Sequence, residues 1–388
     1  MNEKHASYRL IHRILAAGLL SFSGFAAAQS AARLDNPMPP KSVVVRTKFQ
    51  GQVFGFDVDQ NGTEGVLAES QTLSNGNVLA AVETFDQKTG KILDVIIKTE
   101  TQDDFVTLGV VGASVGLVER EHVISFLHVK RTFHTLNPLE SNKFTGVWTP
   151  PLAPKHLISP AGVSRSQGVP SVAVFAFDNS GNFIPYVFSS DVEANTFGPV
   201  VKITDSNDFG SVPPPIAFDS KTNQAVLGGG PGCFDCLPVI GVADLAKGSF
   251  TKFTGVGFGF INGVAVDAAD GIACTTTEDD ASVEFYDLKT QTGFSVILPG
   301  SGGQQFFSGA DVEYDPIHRL FFVAQPNSSS TQSGSTIYVY DTKGNVQNTL
   351  NGFSFSNTFN VIAMHIALNP KHRTGFVDDP AGIRSFTY

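Results

Sequence analysis

The stretch Gly263-Val-Ala-Val-Asp-Ala-Ala-Asp-Gly-Ile-Ala-Cys-Thr-Thr-Thr-Glu-Asp-Asp-Ala-Ser-Val-Glu-Phe-Tyr-Asp287 holds three short apolar runs. The first closes on Asp267, the second opens after Gly271, and the third closes on Asp287. Short runs rich in Val, Phe and Tyr and bounded by Gly and Asp read as strands, and the gap between the first two is hairpin spacing. The first run returns as Ile216-Ala-Phe-Asp219, Val312-Glu-Tyr-Asp315 and Ile366-Ala-Leu-Asn369, so the four closing residues stand 48, 48 and 54 positions apart. The closing residue of the third run, followed by a Lys/Thr/Gly turn, returns as Asp86, Asp191, Asp244 and Asp341. Across the five copies those intervals are 105, 53, 43 and 54, the first being double. Glu140-Ser-Asn-Lys143 falls near the middle of the double interval and marks a degenerate sixth copy.

A repeat of roughly 40 to 50 residues with four short strands is the pattern of a propeller blade, because one small sheet cannot bury both faces until neighbours pack against it. The expected fold class is therefore all-β, a seven-bladed β-propeller over residues 42–388, with six or eight blades also compatible with the spacing. The last unit stops at Gly382-Ile-Arg-Ser-Phe-Thr-Tyr388 without an outer strand. Ser42-Val-Val-Val-Arg-Thr-Lys-Phe49 precedes the first full unit and belongs to none. Pairing this N-terminal strand with the last blade would complete that blade, close the ring and cover two exposed sheet edges.

Gly263-Val-Ala-Val-Asp267, Ser282-Val-Glu-Phe-Tyr-Asp287 and Ile337-Tyr-Val-Tyr-Asp341 resemble the YVTN and NHL type of secreted propeller repeat. The resemblance covers the last 180 residues best and implies an architecture rather than an activity. WD40 repeats are a poorer match, since the chain has one Trp, Trp148, and no Trp-Asp pair.

Composition agrees with short strands and tight turns: 33 Phe, 38 Gly and only 16% charged residues among 388. Residues 1–28 read as a secretory signal peptide. Lys4, Arg9 and Arg13 precede an apolar stretch from Ile14 to Phe25, and Ala26-Ala-Ala28 offers the cleavage site. Cleavage would leave 23 basic and 35 acidic residues and a net charge of −12. That balance disfavours nucleic acid and anionic membranes as partners. Residues 29–41, with Pro37, Pro39 and Pro40, read as an exposed lead-in. No later stretch has the roughly 20 uninterrupted apolar residues of a membrane span, so the expected location is exported, periplasmic or extracellular.

Functional residues of a propeller gather where innermost strands open and where second-to-third strand loops lie. Asn262, Asp311 and His365 stand at the opening of innermost strands, and Glu313 takes a position held by Ala217, Ala265 and Ala367 in three other units. Glu278, Asp279, Asp280, Asp378 and Asp379 fall in the loops. Carboxylate, amide and imidazole groups that converge at a channel mouth are a candidate binding site, and Asp311, Glu313 and His365 are candidate ligands for a divalent metal ion such as Ca, Mg or Zn. A metal there would polarise an ester or lactone carbonyl, the layout of a lactonase-like hydrolase or lyase. The same groups equally suit a hydrated channel lining or an ion pair with a neighbouring Arg or Lys.

Cys233-Phe-Asp-Cys236, after Gly228-Gly-Gly-Pro-Gly232, is expected to form a local disulfide in a second-to-third strand loop. Cys274, inside an apolar strand, reads as an inert buried thiol. Gly112-Ala-Ser-Val-Gly116 has nucleophile-elbow spacing, but the residues after it read as strand rather than helix. With no catalytic motif in its required setting, the sequence points first to an exported recognition platform for a protein, peptide or glycan, with the metal-assisted enzyme as the alternative. Phe234, Phe306 and Phe307 are candidate contacts on its loop face.

Overall fold

The computed structural model describes residues 43–59, 62–101, 113–119, 122–127, 132–137, 143–148, 156–166, 169–178, 185–191, 196–204, 206–209, 215–219, 221–231, 236–277, 282–299, 311–325, 335–353, 365–379 and 382–388. They form antiparallel sheets, each built mainly from four consecutive strands. Strand β1 (Val44–Val45) stands apart from that sequence order.

Sheet one is β2 (Gln52–Val58), β3 (Glu64–Thr72), β4 (Val78–Asp86) and β5 (Ile92–Thr101). Sheet two is β6 (Ala113–Glu119), β7 (His122–Leu127), β8 (Thr132–Asn137) and β9 (Lys143–Trp148). Sheet three is β10 (His156–Ser166), β11 (Val169–Asp178) and β12 (Pro185–Asp191), with β13 (Thr196–Phe197) and β14 (Val201–Lys202) sharing the edge of β12. A single helical turn, α1 (Ser206–Phe209), precedes sheet four, which is β15 (Ile216–Asp219), β16 (Gln224–Gly229), β17 (Val239–Asp244) and β18 (Ser249–Thr254). Sheet five is β19 (Ile261–Asp267), β20 (Ile272–Thr277), β21 (Ser282–Asp287) and β22 (Thr292–Ile297). Sheet six is β23 (Val312–Asp315), β24 (Leu320–Gln325), β25 (Ser335–Asp341) and β26 (Val346–Phe353). Sheet seven is β27 (Ile366–Asn369), β28 (Thr374–Asp379) and β29 (Gly382–Thr387), with β1 on the outer side of β29.

The recurring Asp residues make the hairpins. Carboxylate oxygens of Asp219, Asp267 and Asp315 accept the backbone N–H two residues on, from Lys221, Ala269 and Ile317 at 2.9, 2.9 and 2.8 Å. Asp86, Asp244, Asp287 and Asp341 do the same for Lys88, Ala246, Lys289 and Lys343 at the next turn but one. A short side chain that mimics a backbone acceptor fixes each turn locally, which is why the repeat is readable at these positions.

The second and third strands of sheets four and five and the second strand of sheet six lack apolar–polar alternation because both of their faces are buried. In β16, Ala225 and Leu227 pack with Val187, Val201 and Phe209 on the side of sheet three, while Val226 packs with Ile261, Val264 and Tyr286 of sheet five. Sheets five and six share Phe285, Phe321 and Tyr340, and sheets six and seven share Phe322, Leu368 and Phe386. The first strands of the sheets follow one another as neighbours from β2 to β27, and β27 in turn lies beside β2. Across that last seam Asn369 donates through its side-chain amide to the backbone oxygen of Asp59 at 2.8 Å.

The N-terminal strand is shorter than the expected eight residues. Val44 and Val45 pair with Arg384 and Ile383, and the N–H of Ser385 donates to the carbonyl of Val43 at 2.8 Å. The chain then leaves the ladder because the N–H groups of Lys48, Phe49 and Gly51 are taken by carboxylates of sheet one. The glycine run also lies differently from expectation. Gly228 and Gly229 belong to β16, not to the following loop, and pair with Ile240 and Val239. A Cβ on Gly228 would meet Cγ2 of Ile261 at 2.3 Å, and one on Gly229 would meet the carbonyl oxygen of Asp208 at 2.5 Å. These glycines serve close packing between sheets.

Candidate functional site

The hairpins alternate ends along each sheet, so the second-to-third strand loops and the sheet-to-sheet connections fall on one face. Four of the expected residues lie at or just inside that face. Asn262 is the extra residue of a β-bulge between Ile261 and Gly263 and is exposed. Asp311 and His365 each precede a first strand by one residue, and both are partly buried.

Asp311 has a defined job. One carboxylate oxygen accepts the N–H of Val312 at 2.8 Å and the other accepts the N–H of Ile366, at the start of sheet seven, at 2.8 Å. Its own carbonyl accepts the N–H of Ala324 at 2.9 Å. Gly263 of sheet five lies so close that a Cβ there would sit 2.9 Å from the Asp311 Cα. Asp311 thus ties three successive sheets at one point. Burial raises its carboxyl above the ordinary range, opposed by the nearby His365 and by the two N–H donors.

Glu313 occupies in β23 the position that Ala265 and Ala367 hold in β19 and β27, two residues before the closing Asp or Asn, and is partly buried. Burial, then the charges of Asp311 and Asp57, push its carboxyl well above the ordinary range. Asp57 was not among the expected residues. Aligning Asp59 with the closing residues Asp219, Asp267 and Asp315 places Asp57 at the position of Glu313, so the signal was present in Gln52-Val-Phe-Gly-Phe-Asp-Val-Asp59. His365 packs edge-on against Phe56 of sheet one, with ring centroids 6.3 Å apart. Among the described residues no group of three or more His, Cys, Asp or Glu side chains is arranged to hold a metal ion. Asp311, Glu313 and His365 therefore gather near one another without forming the expected donor set.

Asp378 and Asp379 are the last residues of β28, paired with Ile383 and Gly382, rather than loop residues. Glu278, Asp279, Asp280, Phe234, Phe306, Phe307 and Cys233 lie outside the described residues, and with Cys233 the disulfide to Cys236. Cys274 is free and fully buried, and burial with the Glu284 carboxylate behind it pushes its thiol up, consistent with an inert group. Ser114, centre of the nucleophile-elbow match, stands within β6 opposite Phe126.

Two apolar side chains on the loop face did not register in the sequence. Leu237 is 48% exposed and Phe258 is 47% exposed. They sit on adjacent segments, since the N–H of Gly259 donates to the carbonyl of Cys236 at 2.9 Å and that of Gly255 to Pro238 at 2.7 Å. Asn262 follows a few residues after Phe258.

No family model matches this chain, and no curated protein matches its sequence, so the YVTN and NHL resemblance rests on the quoted residues alone. Among solved structures the chain is similar to one described as "Crystal Structure of Mitotic Checkpoint Complex", with a TM-score of 0.59 and 13% identity, over 93% of this chain and 95% of that one. At that identity the likeness speaks for the fold. Together with the succession of four-stranded antiparallel sheets it supports a β-propeller architecture. Among the described residues no helix is long and apolar enough to cross a membrane.

Proposed function

We propose that this chain is an exported seven-bladed β-propeller, closed by β1 in its last blade, that recognises a protein or peptide partner on its loop face. Support for the ring comes from the β1–β29 pairing, the neighbouring of β27 and β2, and the Asn369–Asp59 bond across 310 residues of sequence. Export rests on the charge and apolar pattern of residues 1–28, and the Cys233–Cys236 bridge belongs to the same proposal.

The observation that carries the recognition reading is the exposed pair Leu237 and Phe258 on adjacent segments. Large exposed apolar side chains on hydrogen-bonded neighbouring segments of a loop face form the pattern of a contact patch. A protein partner is preferred over a glycan because the structural neighbour belongs to a chain described within a protein complex. The metal-assisted hydrolase or lyase has no gathered donor set among the described residues to build on.

The test is differential capture. Mature wild-type protein and a Leu237→Ser, Phe258→Ser variant, matched in melting temperature, are immobilised and exposed to the exported proteins of the source cell. The reading expects at least one captured species to fall by roughly tenfold in the variant, the loss that follows from removing a hot spot. Equal capture by both proteins rejects this face as the contact surface.

A further inference from the structure

The connection between β1 and β2, residues 46–51, is held by side chains of sheet one and not by a strand partner. The N–H of Lys48 donates to Oε2 of Glu83 at 3.0 Å, and those of Phe49 and Gly51 donate to Oε1 and Oε2 of Glu69 at 3.0 and 2.7 Å. Gln50, between them, takes a left-handed φ of 56°, a conformation that a non-glycine residue adopts only when its surroundings hold it there. The side chains of Glu69 and Glu83 are themselves buried, at 1% and 0% exposure.

Their placement follows from the register of β3 and β4. Leu67 stands opposite Glu83 and Glu69 opposite Ala81, so the two glutamates are diagonal neighbours on one face. That face carries Leu67 and Phe85, which pack with Val45, Ala367, Phe376 and Ile383, so it is the face that meets sheet seven and β1. The two carboxyls lie at the seam where the first and last parts of the sequence meet.

The second oxygen of Glu83, Oε1, has no hydrogen-bond partner although it is buried. Two ionised carboxylates would leave that acceptor bare and place like charges side by side, both of which low-dielectric surroundings penalise. A proton on one of them removes both faults, since it supplies the missing donor and cancels one charge. We propose that Glu69 and Glu83 share one proton and act as a pH-dependent latch that fastens residues 46–51, and with them β1, in acid and releases them in alkali. The device is independent of which partner the loop face takes.

Burial raises the Glu83 carboxyl to about 7, with the charge of Glu69 adding to the rise and Lys48 opposing it through its N–H and its charge. Lys98 of β5 lies over the ring of Phe49 at 4.9 Å, and the segment itself carries Arg46 besides Lys48. A carboxyl that holds its proton more tightly folded than unfolded stabilises the fastened form fully below the ordinary value of 4.5. The contribution declines as pH rises and is gone above about 7.

Hydrogen exchange of the full-length protein, corrected for the intrinsic pH dependence of exchange, reads this directly at the amides of Lys48, Phe49 and Gly51. Their protection is expected to fall roughly tenfold between about pH 6 and 8, while amides of β20 hold theirs. Glu83→Gln keeps a donor toward Glu69 without a titrating proton, and its protection should be flat across the same range. A flat wild-type profile, or a Glu83→Gln profile that slopes like wild type, overturns the latch. Should the variant not fold, carboxyl ¹³C titration of the wild-type protein decides. One glutamate titrating near neutrality is expected, and none outside the ordinary carboxylate range refutes it.

Discussion

Asp311 illustrates what a single residue type can and cannot announce. Its place just before an innermost strand was legible in the sequence, because Val312-Glu-Tyr-Asp315 aligns with its counterparts. Its work was not, since which backbone N–H groups face a carboxylate depends on the neighbouring sheet. Both of its oxygens are spent on Val312 and Ile366, so the residue is a tie between sheets first. Asp311→Ala should lower stability by about 1–3 kcal/mol, the cost of leaving buried N–H donors without an acceptor, as read by denaturant unfolding. A group present only to bind a ligand would give an unchanged midpoint, or a higher one. Glu69 and Glu83 show the converse. A carboxylate inside an apolar strand, as in Val66-Leu-Ala-Glu69 and Val82-Glu-Thr84, is a visible anomaly in the sequence, but only the register of β3 and β4 pairs the two.

At the scale of elements, the first and third strands were readable because an Asx turn ends each of them, and turn chemistry is local. The sheet around Glu140 was harder to find because Glu140-Ser-Asn-Lys143 departs from that pattern. The glycine run after Leu227 misled for a physical reason. Consecutive glycines suit a mobile loop and a tightly packed strand equally well, and the distinction lies in what sits opposite. Here Ile261 and the α1 backbone sit there. Gly229→Ala is therefore expected to cost about 1–3 kcal/mol through overpacking against α1, measurable as a lowered melting temperature. A loop glycine on a free surface would accept alanine with no loss. The N-terminal strand shows the same limit: apolar alternation over residues 42–49 suggests eight ladder residues, and competition from the two glutamates leaves β1 with two.

For the whole molecule, the repeat period and an apolar segment before the first unit that belongs to none of them suggested a ring closed by that segment. That inference needed only counting, because blade architecture forces neighbours to supply each other's core. The exposed apolar pair proposed as a contact surface was beyond counting, since exposure of Leu237 and Phe258 is a property of the folded loop face. Closure is the central claim, and a designed cross-link measures it most directly. Val44 and Arg384 are partners in the β1–β29 ladder, flanked by the bonded pair of Val43 and Ser385, so they occupy the closer-spaced position that suits a disulfide. A Val44→Cys, Arg384→Cys protein, oxidised under native conditions and mapped by peptide mass spectrometry, should yield the 44–384 bridge nearly completely and unfold at a higher temperature. Absence of that bridge in the folded protein, with both thiols recovered free, would contradict a ring closed by its N-terminal strand.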